Sequence, residues 1–123
     1  MNFITNDTLY VLIRANAALY QRFGVEPTLN LQLRLLEEEV REVKDAAGAD
    51  AFDREHLAEE MGDVFFVMMG LARWAGLSHD DLLDGLKKVV AKNAAKTHET
   101  HYVDPHTKKI KRRAVEVVDA TQV

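Results

Sequence analysis

Apolar residues recur every three or four positions in four separate stretches of this chain, which is the spacing that places side chains on one face of a helix. Residues that favour helix starts (Asn6, Asp53, Ser78) and helix ends (Gly24, Gly76) separate the stretches. The pattern therefore predicts four helices, over residues 7–23, 28–47, 53–75 and 78–96.

The short loops between these stretches predict an all-α fold, an antiparallel four-helix bundle forming a single domain over residues 1–123. The helical period stops after Lys96, so residues 97–123 form a non-helical tail. Residues 101–107 favour a turn that opens a short hairpin, with Ile110 on its returning arm. Residues 114–118 fit a strand and a frayed end equally well.

The third predicted helix is apolar nearly all round, because its aromatic, methionine and alanine side chains cover sectors on several sides. A helix of this kind lies at the centre of a fold or at a subunit interface. We favour the interface.

Four acidic residues occupy positions where the helical period places apolar side chains. Glu39 and Glu42 fall inside the apolar arc centred on Leu36 when each residue advances about 100° around the helix. Glu60 and Asp63 lie in the apolar sector of the next helix in the same way. Unpaired buried carboxylates are costly, so this pattern requires protonation, cationic partners or a metal ion.

A cluster of carboxylates without histidine or cysteine selects a hard cation, such as Mg²⁺, Mn²⁺ or Ca²⁺. Mg²⁺ usually keeps several waters and takes further ligands from substrate phosphates. The interpretation is therefore a site for a phosphate ester or anhydride, with a metal-activated water. Glu38, at the border of the arc, is placed to orient that water or to hold a second metal.

The charge of the chain is uneven. Its formal net charge is −4, and residues 1–107 contain 11 Lys and Arg against 18 Asp and Glu, whereas residues 108–113 hold five basic side chains in six positions. An acidic body suits a metal–phosphate ligand better than a nucleic-acid backbone. Because cysteine, a signal peptide and a membrane span are all absent from the pattern, we expect a cytoplasmic protein.

The acidic residues also form a recognisable motif. Residues 38–42, Glu-Glu-Val-Arg-Glu, followed by Glu-Met-Gly-Asp at 60–63, resemble the EExxE…ExxD signature of the MazG-like all-α nucleoside triphosphate pyrophosphohydrolases. That superfamily includes the dimeric dUTPases and the phosphoribosyl-ATP pyrophosphohydrolases. The likeness covers about residues 28–97, and Arg41 departs from it where many members carry glycine.

The resemblance implies a helical bundle, usually a homodimer or homotetramer, and Mg²⁺-dependent cleavage of a nucleoside triphosphate to a monophosphate and pyrophosphate. The corresponding role is clearance of non-standard or surplus nucleotides. The motif positions assign the metal ligands to Glu39, Glu42, Glu60 and Asp63. They assign catalytic roles to Glu38 and Glu39. The preferred base and sugar stay open, and phosphoribosyl-ATP remains an alternative substrate.

Further polar residues are candidates for contacting substrate. Asn93 and Lys96 continue the apolar stripe of the fourth helix, and relatives often carry a Lys/Asn group here. We expect Lys92, Asn93 and Lys96 to contact phosphate or base, with a helix-end cap and snorkelling lysines as the alternative for Asn93 and Lys96. Asn16 and Gln32 lie on apolar stripes, where each would read a base edge or form a satisfied core amide. The basic residues 108–113 either close over the triphosphate or form a solvated end.

A second class of function competes with the enzyme. A helical nucleic-acid-binding or regulatory protein would use residues 108–113 on phosphate backbones. The acidic body argues against nucleic acid, and such a protein would leave the four inward acids without a role. A di-iron carboxylate bundle needs Glu-x-x-His pairs, and no Glu here has His three positions later.

Overall fold

The computed structural model describes residues 7–114. This part of the chain contains four helices, α1 (Asp7–Phe23), α2 (Leu29–Ala47), α3 (Arg54–Trp74) and α4 (His79–Ala94). An antiparallel pair of short strands follows, β1 (His101–Val103) and β2 (Ile110–Arg112). The predicted all-α class and the non-helical segment after α4 are confirmed, while Asn6 and residues 115–123 lie outside the described residues.

Side-chain caps begin three of the helices close to the predicted positions. The Thr28 hydroxyl accepts from the Leu31 N–H at 3.4 Å, and the Asp53 carboxylate accepts from the Glu55 N–H at 2.9 Å. Ser78 and Asp81 cap α4 reciprocally, since each side chain accepts from the other's backbone N–H. These bonds hold the pKa of Asp81 below its ordinary value.

Two glycines end helices in the left-handed conformation. Gly24 has φ 65° after α1, and Gly76 has φ 74° after α3. In each case the next N–H returns to the last helical turn, from Val25 to the Tyr20 carbonyl and from Leu77 to the Ala72 carbonyl, both at 2.9 Å. The sharp stops predicted at these positions follow from glycine's tolerance of positive φ.

The chain divides into two compact units, Met1–Lys87 and Lys88–Val123, with the boundary inside α4. The prediction of a single domain stays a prediction. In the first unit α3 packs against both α1 and α2, and its buried side chains Val67, Met69 and Ala72 form the core with others from these helices. Met61 and Phe65, also on α3, remain exposed.

A polar network crosses the core of the first unit. Asn16 and Gln32 are fully buried. The Asn16 amide donates to the Phe66 carbonyl and accepts from Arg73, each at 3.0 Å, and the Tyr20 hydroxyl donates to Gln32 Oε1 at 3.0 Å. These bonds join all three helices, because α1 contributes Asn16 and Tyr20, α2 contributes Gln32, and α3 contributes the rest.

The second unit contains the predicted hairpin, with Ile110 on the returning strand opposite Val103. Asp104 organises the turn, since its carboxylate accepts from the N–H groups of His106 and Thr107 and pairs with Lys111 at 2.8 Å. These contacts hold the pKa of Asp104 below its ordinary value, with Lys111 as the main cause. Among the described helices, none is long and apolar enough to cross a membrane.

Gly70 of α3 lies directly against the side chain of Gln32 of α2. A Cβ built at this position would collide with Gln32 Oε1 and lie 2.8 Å from Gln32 Cδ. We therefore expect Gly70→Ala to lower the free energy of unfolding by about 1–3 kcal/mol, the usual cost of overpacking a core. Urea denaturation followed by circular dichroism measures this change.

The matched control is Gly85→Ala in α4, where a Cβ would meet nothing within 4 Å. That substitution should leave stability unchanged or raise it by about 0.5–1 kcal/mol, because alanine restricts the unfolded chain. Equal effects of the two substitutions would contradict the packing described for Gly70.

Candidate metal site

The four acids predicted as metal ligands meet between α2 and α3. Glu39 and Glu42 come from α2, and Glu60 and Asp63 from α3, and one carboxylate oxygen of each lies within 4.8 Å of those of the other three. Oxygens bound to opposite sides of Mg²⁺ are about 4.2 Å apart, and for Ca²⁺ about 4.8 Å. The cluster therefore has the dimensions of a hard-cation site, and small side-chain rotations would bring the four oxygens to Mg²⁺ distances.

The register of the two helices explains why these acids face one another. Gln32 of α2 contacts the position of Gly70 of α3. In an antiparallel pair, advancing seven residues from Gln32 reaches Glu39, and going back seven from Gly70 reaches Asp63. Two helical turns are about seven residues, so both steps stay on the facing sides. Glu42 and Glu60 follow one turn further.

The cluster is partly desolvated and lacks compensating cations. The Glu60 side chain is 14% exposed, Glu39 is half-buried, and the Oε2 atom of each is buried without a hydrogen-bond partner in the described part of the chain. Among the described residues, the one basic group within ion-pair distance of the four acids is His56, whose Nε2 lies 3.6 Å from Glu60 Oε1. No lysine or arginine of residues 7–114 neutralises the cluster.

Burial and mutual repulsion both disfavour the charged acids. Burial first, then Glu42 and the remaining acids, raises the pKa of Glu39 from 4.5 to about 7. The pKa of Glu60 is also raised, mainly by burial and Glu42, and His56 opposes this shift. A divalent cation would remove the repulsion, so the arrangement is suited to binding one.

The other acids of the region lie outside this cluster. Glu38, predicted to be catalytic at the border of the arc, is exposed, as are Glu37 and Glu59. His56 was not among the residues predicted for the site. Its i, i+4 spacing from Glu60 is the sequence feature that places the two side chains close together on the helix. The catalytic assignments of Glu38 and Glu39 stay predictions.

The predicted substrate contacts occur in two places. Asn16 and Gln32 are the buried amides described above, and their hydrogen bonds favour the core alternative, although Gln32 Nε2 has no described partner. Lys92, Asn93 and Lys96 belong to the second unit, where Asn93 donates to the Val89 carbonyl and accepts from Lys96 Nζ. Their role in substrate binding stays a prediction.

An all-α chain with four carboxylates facing a cation-sized space has the features expected of the MazG-like superfamily. A sequence profile of the family described as phosphoribosyl-ATP pyrophosphohydrolase matches residues 20–90. This match covers more than half of the chain and includes all four acids. The chain belongs to this family, which is part of the MazG-like superfamily.

Family membership points to a pyrophosphohydrolase, a hydrolase acting on nucleotides, and the family in general depends on divalent metal. Searches of characterised proteins and of solved structures found no match.

The raised pKa of Glu39 predicts how stability changes with pH when a chelator is present. A carboxyl whose pKa rises to about 7 on folding stabilises the folded state fully below pH 4.5, and this contribution is lost as the pH passes about 7. The urea midpoint should therefore fall between pH 5 and pH 8, and Glu39→Gln should reduce that fall. Mg²⁺ or Mn²⁺ at pH 8 should restore the midpoint.

Glu37→Gln is the matched control, because it removes an exposed charge two residues away and should keep the wild-type pH dependence. The pKa of His101 is lowered on folding, so its contribution to stability rises with pH. This contribution is the same in the wild type, Glu39→Gln and Glu37→Gln, and it does not affect their comparison. A wild-type midpoint that is no more pH-sensitive than that of Glu39→Gln would contradict the account.

Proposed function

We propose that this chain is a Mg²⁺-dependent nucleoside triphosphate pyrophosphohydrolase that cleaves between the α- and β-phosphates and releases a monophosphate and pyrophosphate. Mn²⁺ is an alternative ion. The observation that supports this proposal most is the group of four acids within 4.8 Å, with two buried oxygens lacking described partners. Clearance of non-standard or surplus nucleotides is the corresponding role in a cell.

Glu39, Glu42, Glu60 and Asp63 would hold the ion. When bound, it would draw charge from the phosphoryl oxygens and acidify a water. Hydrolysis would add one water across the P–O–P anhydride, and a carboxylate of the chain would accept the proton released. We assign the proton transfer to Glu39 and the orientation of the water to Glu38, which is exposed.

An apolar cleft of about 360 Å³ in the first unit would take the nucleoside. It is lined by Leu19, Tyr20, Phe23, Val25, Leu31 and Leu35. Leu35 precedes Glu39 by one helical turn, about 6 Å, so the cleft begins beside the acid cluster. Its volume lies within the range typical of small-molecule sites. The lining is almost wholly apolar, which favours selection of a base by shape and stacking.

Phosphoribosyl-ATP is the second candidate substrate, because the matched family carries that name. It presents the same kind of anhydride to the acid cluster. The nucleic-acid-binding alternative is supported only by the basic residues 108–113 and does not account for the acid cluster.

We propose a homo-oligomer assembled through the exposed face of α3. Met61 and Phe65 are exposed there, and with Val40, Val43 and Val64 they line an apolar groove between α2 and α3. Exposed apolar patches of this kind mark association surfaces. A homodimer of 13.9 kDa chains is the simplest assembly, and a homotetramer is the alternative. A cytoplasmic location stays a prediction.

The decisive assay incubates the protein with Mg²⁺ and a panel of standard and modified nucleoside triphosphates, with phosphoribosyl-ATP included, and measures monophosphate and pyrophosphate. We expect pyrophosphate from at least one substrate. Glu39→Gln and Asp63→Asn should each lower kcat/KM by about 100-fold or more, because removal of a metal ligand costs more than loss of a group supporting it.

Glu37→Gln and Glu59→Gln are the matched controls, since both acids are exposed neighbours of the ligands on the same helices. They should retain activity within about threefold. Absence of pyrophosphate from every substrate, or full turnover by Glu39→Gln and Asp63→Asn, would refute the proposed function.

A further inference from the structure

The second half of α4 presents apolar side chains to solvent. Leu86, Val89 and Val90 are between 44% and 54% exposed, and no residue of α4, which lies wholly within the described part of the chain, is buried. With Leu86 at zero and about 100° per residue, Val89 lies at about −60° and Val90 at about +40°, so the three form one stripe. An apolar stripe on a helix is normally packed against another segment.

Lysines border this stripe without acidic partners. On the same helical wheel Lys87 lies at about +100° and Lys92 at about −120°, one on each side of the stripe, whereas Lys88 lies at about −160°, behind it. None of the three forms an ion pair with an acid of residues 7–114. The face therefore suits an occupant that carries both apolar and acidic side chains.

Residues 115–119 of this chain have that composition. They read Val-Glu-Val-Val-Asp, which is three apolar side chains and two acids without a basic residue. Residues 88–113, which precede them, contain eight Lys and Arg against two acids, so the two stretches are opposite in charge. The segment 115–119 lies outside the described residues, and the valines of the stripe belong to the same unit of the chain as this segment.

The chain leaves the described residues close to the end of α4. The Arg113 N–H donates to the Thr100 carbonyl and its Nε donates to the His98 carbonyl, each at 2.8 Å. His98 follows Ala94, the last residue of α4, by four positions. Five extended residues span about 16 Å, and the helix from Ala94 back to Val90 is about 6 Å long. The segment 115–119 is therefore long enough to lie along this part of α4.

We propose that residues 115–119 dock on the exposed stripe of α4, with their valines against Val89 and Val90 and an acid beside Lys92. Docking removes apolar surface on both segments from water, and the acids offset the charge of the lysines. The docked segment shields this face from other chains, which leaves the face of α3 as the association surface.

A second copy of the chain is the competing occupant of the stripe. A copy that offered the second half of its own α4 would bring lysines against lysines, which disfavours that pairing. The segment 115–119 has the opposite charge and is tethered to the same chain, so its effective concentration at the stripe is high. The charge and the tether both favour the segment.

Disulfide trapping in the full chain tests the docking, because the chain contains no cysteine of its own. The variant Val90→Cys with Val118→Cys is oxidised at low protein concentration, and the products are separated by non-reducing electrophoresis and mass spectrometry. We expect a disulfide within one chain, because docking brings the two Cα atoms to roughly the 4.4–6.8 Å that a disulfide requires. Val89→Cys with Val118→Cys is a second pair on the same stripe.

Ala91→Cys with Val118→Cys is the matched control. Ala91 is exposed and follows Val90 directly, but it lies at about +140° on the wheel, behind the stripe. This pair should cross-link at least about tenfold more slowly, because only random encounters bring its two thiols together. Circular dichroism verifies the helix content of each variant.

The charges at the edge of the stripe supply a second readout. Lys92→Glu should slow cross-linking of the stripe pairs about two- to fivefold, the effect of losing one exposed ion pair. Lys88→Glu makes the same change behind the stripe and should have a smaller effect. In the Lys92→Glu chain, Glu116→Lys or Asp119→Lys should restore the rate, whichever acid faces position 92.

Three results would overturn the docking. The first is cross-linking of both stripe pairs that is no faster than that of Ala91→Cys with Val118→Cys. The second is a predominance of disulfide-linked dimers, which would assign the face to a second copy. The third is equal slowing by Lys88→Glu and Lys92→Glu, which would indicate only an effect of net charge. None of these measurements involves pyrophosphate release, so the docking and the proposed function can fail separately.

Discussion

The close contact between α2 and α3 at Gly70 is the constraint on which the candidate metal site depends. Because glycine has no side chain, Gln32 of α2 can pack against this point of α3 and receive the Tyr20 hydroxyl hydrogen bond. The contact fixes how the two helices align along their length. Two turns away, that alignment places Glu39 opposite Asp63. The packing of Gln32 against Gly70 therefore determines where the acid cluster forms.

The electrostatics of the cluster oppose the packing that creates it. Four acids share a partly desolvated space, and the pKa of Glu39 rises to about 7 as a result. Hydrophobic burial in α3, together with the buried amide network, must hold the helices together against this repulsion. A divalent cation would offset the repulsion among these carboxylates. The stability of the fold therefore depends on both pH and metal binding.

Local sequence signals predicted the helices and the acid cluster well. Helix-ending glycines and polar caps act within one or two helical turns, so the local sequence is enough to locate them. The i, i+3 spacing of the acids also places each pair on one helix face, whatever the rest of the fold does. The end of α4 was less accurate: the helix finishes at Ala94, and Lys96 instead donates its N–H to the Asn93 carbonyl in a tighter final turn.

Contacts between distant segments were harder to anticipate. Whether Asn16 reads a base or satisfies the core depends on the Phe66 carbonyl and on Arg73, which are fifty or more residues away. The convergence of His101 with Arg112 depends on the exact strand register, and turn residues alone do not specify it. Helical periodicity determines which face a residue occupies, but tertiary contacts determine what that face meets.

Crystals grown or soaked with Mn²⁺ and measured at the manganese absorption edge test the central claim most directly. The account predicts an anomalous peak enclosed by the carboxylates of Glu39, Glu42, Glu60 and Asp63, and its loss in Asp63→Asn crystals. A peak bound elsewhere, or carboxylates turned apart into solvent with no ion between them, would contradict it.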